Sequence, residues 1–245
     1  MDQTLVFHLL LLLTAFLYAA VGHGGASGYL ALMALYGFSP DVMKPTALLL
    51  NLFVSLTAFI QYYRSGHFRL ALFLPLAIAS VPMAFLGGTV HVDASLYKKI
   101  LGLLLLVPIA RFLFIGDNAK TELITPHRMT ALLIGAGIGL LSGLIGIGGG
   151  IILSPALLLL GWTDQKQTAA ISAIFIFVNS FSGLAGQLVK GIRFSPDMLT
   201  YVAIAFLGGL AGAYLGARKF NQASIRTLLA IVLIVAAYKL LFTNA

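Results

Sequence analysis

Cysteine is absent from the chain, which excludes disulfides, thiolate-bound metals and cysteine nucleophiles and leaves the redox compartment unmarked. Charge is scarce as well: 9% of residues are Asp, Glu, Lys or Arg, where a soluble domain carries about 25%. The seven acids (Asp2, Asp41, Asp93, Asp117, Glu122, Asp164 and Asp197) fall at the N-terminus or in polar links, and none lies within an apolar stretch. Cation transporters and many proton-driven pumps keep a carboxylate at membrane depth despite a penalty of at least about 2.5–3.5 kcal/mol. Its absence disfavours a cationic substrate and favours an anionic or neutral one. None of the polar links is long enough to hold a soluble domain.

What remains is hydrophobicity: 60% of the residues are hydrophobic and the mean hydropathy is +1.02, which marks a polytopic membrane protein. Met1–Thr4 carries Asp2 and no Lys or Arg, and no small-residue cleavage site follows, so the first segment reads as retained rather than as a signal peptide. A formal charge of +8 would suggest nucleic acid in a soluble protein. Here the basic residues punctuate links, where they set topology and meet anionic lipid headgroups. Membrane lipid is therefore an expected partner and nucleic acid is not.

Apolar stretches run roughly over 5–21, 29–37, 46–60, 70–88, 100–115, 129–147, 151–162, 168–189, 198–217 and 227–242. A membrane span needs about 20 apolar residues. The stretches 29–37 and 151–162 are too short, and each follows a glycine cluster. Those clusters repeat: Gly22-His23-Gly24-Gly25 followed by Gly37 matches Gly146-Ile147-Gly148-Gly149 followed by Gly161, at an offset of 124 residues. Two homologous halves, 1–115 and 129–245, are thus joined by a linker at 116–128. The expected fold is an all-α polytopic membrane protein of about 8–10 membrane segments, two of them short, glycine-broken half-helices. If each broken pair returns to its starting side, each half holds five segments and the repeat is inverted. Nine Lys and Arg residues then fall on one face and six on the other, which favours the first face as cytoplasmic; if each broken pair crosses only once, four crossings per half give a parallel repeat and a split of eight to seven, which orients nothing.

Backbone that unwinds at membrane depth is tolerated only where it is buried in protein or lines a polar cavity. A half-helix that starts after such a break aims free N–H groups at that cavity, an arrangement suited to an anion and found in secondary transporters built from repeats. The expected substrate-binding set is His23, Gly24, Gly25 and Ser27 at the first break, Gly148, Gly149, Gly150 and Ser154 at the second, and Asn51 and Asn179 in the segments that follow. Asn51 and Asn179 stand at approximately equivalent positions; either coordinates substrate or makes an interhelical hydrogen bond. Ser172, Ser180 and Gln187 are weaker candidates. His23, inside the first cluster, changes charge near neutral pH and suits either anion binding or proton carriage. No cofactor, metal or catalytic residue is expected, and a homodimer is compatible with this layout. Two other readings stand beside transport. Gly25-Ala26-Ser27-Gly28 resembles the serine motif of rhomboid intramembrane proteases, although no histidine falls in an apolar segment after Ser27. An anion channel or a scaffold is the other.

The duplicated halves, together with Gly146-x-Gly148-Gly149-Gly150-x-x-x-Ser154-Pro155 and the following Ala169-Ala170-Ile171-Ser172, resemble the TauE/SafE family of sulfite exporters and related permeases. The resemblance covers essentially the whole chain. It implies a multi-pass transporter of the bacterial cytoplasmic (inner) membrane for sulfite, sulfonate, sulfoacetate or related organosulfur anions, with the glycine-rich breaks as the substrate region. The first half departs from the second: Ala26 replaces the third glycine and Ala31 stands where Pro155 would fall. The two halves therefore present different donors to a substrate.

Overall fold

A computed structural model describes residues 3–20, 24–114, 123–192, 194, 196–219 and 222–242. Among the described residues there are ten helices and no strand: α1 (Gln3–Ala20), α2 (Ala26–Leu35), α3 (Pro40–Arg64), α4 (Leu70–Thr89), α5 (Ala94–Phe114), α6 (Arg128–Ile145), α7 (Gly150–Leu159), α8 (Gln165–Val189), α9 (Pro196–Lys219) and α10 (Gln222–Phe242). The helices α3, α4, α6 and α8 are long and apolar enough to cross a membrane, and the shorter α2 and α7 are apolar too. Large side chains such as Leu70, Ile78, Leu133 and Leu199 point outward and stay more than half exposed, which a lipid-facing surface permits and an aqueous one penalises.

Helix boundaries fall where local chemistry puts them. Pro40 occupies the first turn of α3, where its missing N–H has no intrahelical partner to lose. Asp164 caps α8 by accepting from the Gln167 N–H at 2.8 Å, and His127 caps α6 by accepting from Met129. The short helices are equal in length, ten residues each, and so are α3 and α8 at twenty-five.

Interhelical packing relies on glycine where backbones touch. A Cβ added at Gly135, Gly139 or Gly143 of α6 would strike the carbonyls of Leu76, Ser80 and Ala84 of α4, so the two helices run parallel with their backbones in contact. Gly208 and Gly212 of α9 lie in the same way on Leu12 and Phe16 of α1. At the centre α3 and α8 are the most enclosed of the four long apolar helices. Asn51 meets Ser180 while Leu48 meets Gly183, so these two run antiparallel.

One basic residue departs from its expected place in a polar link. Lys44 lies on the second turn of α3, 1% exposed, with its ammonium 4.8 Å from the centre of the Tyr97 ring. Tyr97 in turn donates to the Ile145 carbonyl at 2.9 Å, and the Lys44 backbone packs on Gly146. Lys44 and Tyr97 together hold the C-terminal end of α6, where carbonyls lack intrahelical partners and a cation is favoured.

Candidate functional site

Both glycine clusters end in the same backbone device. Gly25 precedes α2 at φ 83° and Gly149 precedes α7 at φ 79°, a left-handed conformation that side-chain-bearing residues rarely adopt. Neither half-helix has a side-chain cap, so the first N–H groups of each lack an intrahelical acceptor. Gly148, at φ 72°, lies so close to α3 that an added Cβ would stand 2.5 Å from the Asn51 Nδ2.

Two small adjoining chambers, sharing Gly24 and Ile176, open beside these breaks. One is lined by hydroxyls: Ser55, Ser154 and Ser172, with Gly24, Ala58, Ala173 and Ile176 completing it. The Ser154 and Ser172 hydroxyls are 2.9 Å apart, and Ser154 also donates to the Gly150 carbonyl at 2.8 Å. The other is lined by Tyr18, Gly24, Gly25, Ala26, Ser27, Asn51, Ile147, Ile151 and Ile176. Its polar groups are the Tyr18–Ser27 hydroxyl pair at 2.8 Å and the Asn51 amide, whose nitrogen donates to Ser180 Oγ at 3.3 Å. Ser55 Oγ and Asn51 Oδ1 are buried and have no hydrogen-bond partner among the described residues. A buried polar atom left unpaired costs about 1–3 kcal/mol, so two of them in one site call for a guest or water.

Of the residues expected from sequence, Gly24, Gly25, Ser27 and Asn51 line one chamber, and Gly24 and Ser154 the other. Gly148, Gly149 and Gly150 frame the second break without lining either chamber; Gly149 packs on Phe175 and Ile138, and Gly150 on Ile176. His23 lies outside the described residues. Asn179 is placed differently from Asn51. Its amide nitrogen donates to the Phe175 carbonyl of its own helix at 2.8 Å, and it lines neither chamber. The helix starts explain this: Pro40 and Gln165 set an offset of 125 residues between α3 and α8, which pairs Asn51 with Ile176 and Ser55 with Ser180.

Ser55, Tyr18 and Ile176 were not visible as site residues in the sequence. Ser55 carried a faint signal, one of three hydroxyls within the apolar stretch 46–60, whereas Tyr18 and Ile176 carried none. Among the described residues the Ser27 hydroxyl is paired with the Tyr18 hydroxyl, which at neutral pH is protonated and is no general base for a serine nucleophile.

Comparison with known proteins agrees with the architecture. The family described as Sulfite exporter TauE/SafE matches residues 7–240. A relative from Sinorhizobium fredii, named probable membrane transporter protein y4hK, is 39% identical over 93% of this chain and 94% of its own length. A protein from Sinorhizobium sp, named probable membrane transporter protein ORF9, is 30% identical over 98% of this chain and 95% of its own. The Arabidopsis thaliana protein named Sulfite exporter TauE/SafE family protein 1 is 31% identical over 36% of this chain and 20% of its own. No solved structure matches. These names are those of transporters rather than enzymes, and with the spans described above they identify a multi-pass protein of the cell inner membrane. The chain belongs to the TauE/SafE sulfite exporter family of membrane transporters.

Proposed function

We propose that the protein moves a small sulfur-containing anion, such as sulfite or a sulfonate, by alternating access between two inverted repeats, residues 1–115 and 129–245. The observation that carries this reading is that two uncapped half-helices line adjoining, hydroxyl-bearing chambers with residues near their starts, Ala26 and Ser27 of α2 and Ile151 and Ser154 of α7. Neither chamber has a carboxylate among its lining residues. Backbone N–H groups and hydroxyls solvate an oxyanion without a fixed cation and so release it readily. One helix N-terminus contributes up to about 2 kcal/mol in a partly buried setting, too little to replace hydration alone, so two serve better than one.

The antiparallel crossing of α3 and α8 supports the inversion. These helices are alike in length and stand at matching places after the two breaks. They oppose each other only if α6 and α7 count as two passes, which gives five segments per half. Gly24, Gly25, Ser27, Asn51 and Ser154 are the proposed chamber contacts, and Gly148, Gly149 and Gly150 shape the second break. His23 adjoins Gly24 in sequence and is proposed to assist the anion or carry a proton.

The test is thermal stabilisation of the purified protein by sulfite, sulfate, thiosulfate, taurine, sulfoacetate and simple carboxylates. It is repeated with Ser154→Ala and with His23→Ala, then followed by anion flux in proteoliposomes. A shift confined to sulfur anions and weakened by Ser154→Ala is expected. A folded protein that responds to none of them, or to carboxylates alone, overturns the reading.

A further inference from the structure

We propose that Ile176 is the specificity-determining residue of the site, a partition between the two chambers that limits how long an organic anion the protein accepts. This rests on the sulfur-anion reading above and assigns each chamber a share of the substrate. The hydroxyl chamber, with Ser55, Ser154 and Ser172, takes the oxyanion head. The other chamber, walled by Ile147, Ile151 and Ala26 and edged by Tyr18, Ser27 and Asn51, takes the organic stem.

Three observations converge on the isoleucine. Its side chain lines both chambers and, with Gly24, is what they have in common. It fills the gap that glycine leaves at both breaks: an added Cβ would stand 2.9 Å from its Cδ1 at Gly24 and 3.0 Å from its Cγ2 at Gly148, and would collide with it at Gly150. The hydroxyl chamber holds a buried hydroxyl without a hydrogen-bond partner among the described residues, Ser55 Oγ, which can donate to an oxyanion head. A guest that reached from one chamber into the other would have to pass Ile176. The matching position on α3 is Asn51, so the fold itself does not demand an apolar group at this place.

The experiment uses the full chain in detergent. Calorimetric titration with sulfite and with methane-, ethane-, propane- and butanesulfonate compares the wild type with Ile176→Val and Ile176→Ala, which remove one and three carbons. Sulfite and methanesulfonate affinities should change less than those of the longer sulfonates in both variants. The preferred stem should lengthen by about one carbon in Ile176→Val and two or more in Ile176→Ala, with a gain of roughly fourfold for each newly buried methylene. Should the alanine variant fail to fold, the one-carbon shift in the valine variant carries the test. Affinities that change equally along the series, or not at all, overturn the role of Ile176 while leaving the site reading intact. A wild type that binds neither sulfite nor any sulfonate overturns the site reading, and the partition with it.

Discussion

At the first break α2 starts behind Gly25 at φ 83°, and at the second α7 starts behind Gly149 at φ 79°; both half-helices are ten residues long. The side chains that meet these breaks are unlike. Gly148 faces the Asn51 amide, whereas Gly24, its counterpart at the offset of 124, faces the end of Ile176. Ser154 and Ser172 line the hydroxyl chamber, whereas their counterparts Leu30 and Ala47 are fully buried and apolar. Ser27 in turn corresponds to Ile151. The backbone is repeated because glycine and left-handed geometry are required wherever a helix must break and restart. The side chains are free to diverge, and they leave one chamber lined by three serines and one richer in isoleucine instead of two alike.

The largest expected effect separates the paired glycines themselves. Gly148→Ala places a Cβ on a left-handed residue 2.5 Å from the Asn51 nitrogen, while Gly24 carries no such conformation and meets only the flexible end of Ile176. The first change should cost about 2–4 kcal/mol from strain and overpacking together, lower the melting temperature by several degrees and weaken anion binding at least tenfold. Gly24→Ala should cost less than about 1 kcal/mol, because a rotamer change in Ile176 relieves it. Melting curves of the two variants measured side by side decide this, and equal losses would break the comparison.

A middle-sized effect comes from exchanging the pair that α3 and α8 place at matching positions. Asn51→Ile removes the donor to Ser180 Oγ and leaves that buried hydroxyl short of a partner, at about 1–3 kcal/mol. Ile176→Asn buries an amide where the wild type has a methyl-lined wall. Both side chains reach the same spot above Gly148, so they are close enough to couple. The double variant should recover part of the loss, with a coupling of about 0.5–3 kcal/mol in a thermal double-mutant cycle. Strict additivity would mean that the two positions do not share a site.

How much of this the sequence revealed follows from what each residue does to the chain. Glycine clusters announce a break, and the stretches 29–37 and 151–162 anticipate α2 and α7, the short helices that begin at those breaks. The adjoining Gly24, Gly25, Ser27 and Ser154 followed from the same signal. Ile176 could not, since an apolar side chain in an apolar segment reads alike whether it faces lipid, a neighbouring helix or a substrate. Asn179 misled for a related reason: residue type suggested a mate for Asn51, but the helix starts set a register in which Ile176 holds that place. Lys44 followed Pro40 and Asp41 closely enough to pass for part of a link. Its burial depends on Tyr97 and Gly146, which lie far along the chain and come together only in the fold.

The smallest effect is also the most discriminating, because it leaves both breaks untouched. Each half ties its half-helix down with one hydroxyl pair: Tyr18 of α1 with Ser27 of α2 at 2.8 Å, and Ser154 of α7 with Ser172 of α8 at 2.9 Å. Tyr18→Phe keeps the ring that packs on Gly28, and Ser172→Ala keeps the helix, so each removes little more than one hydrogen bond. Each should cost about 0.5–1.5 kcal/mol of stability, too similar to tell the halves apart. Binding separates them. Ser172 lines the chamber assigned to the anion head and Tyr18 the one assigned to the stem, so sulfite affinity should fall about three- to tenfold in Ser172→Ala and stay within twofold in Tyr18→Phe. A matching loss of sulfite affinity in Tyr18→Phe would mean that the anion head contacts both chambers, and the division into head and stem would no longer hold.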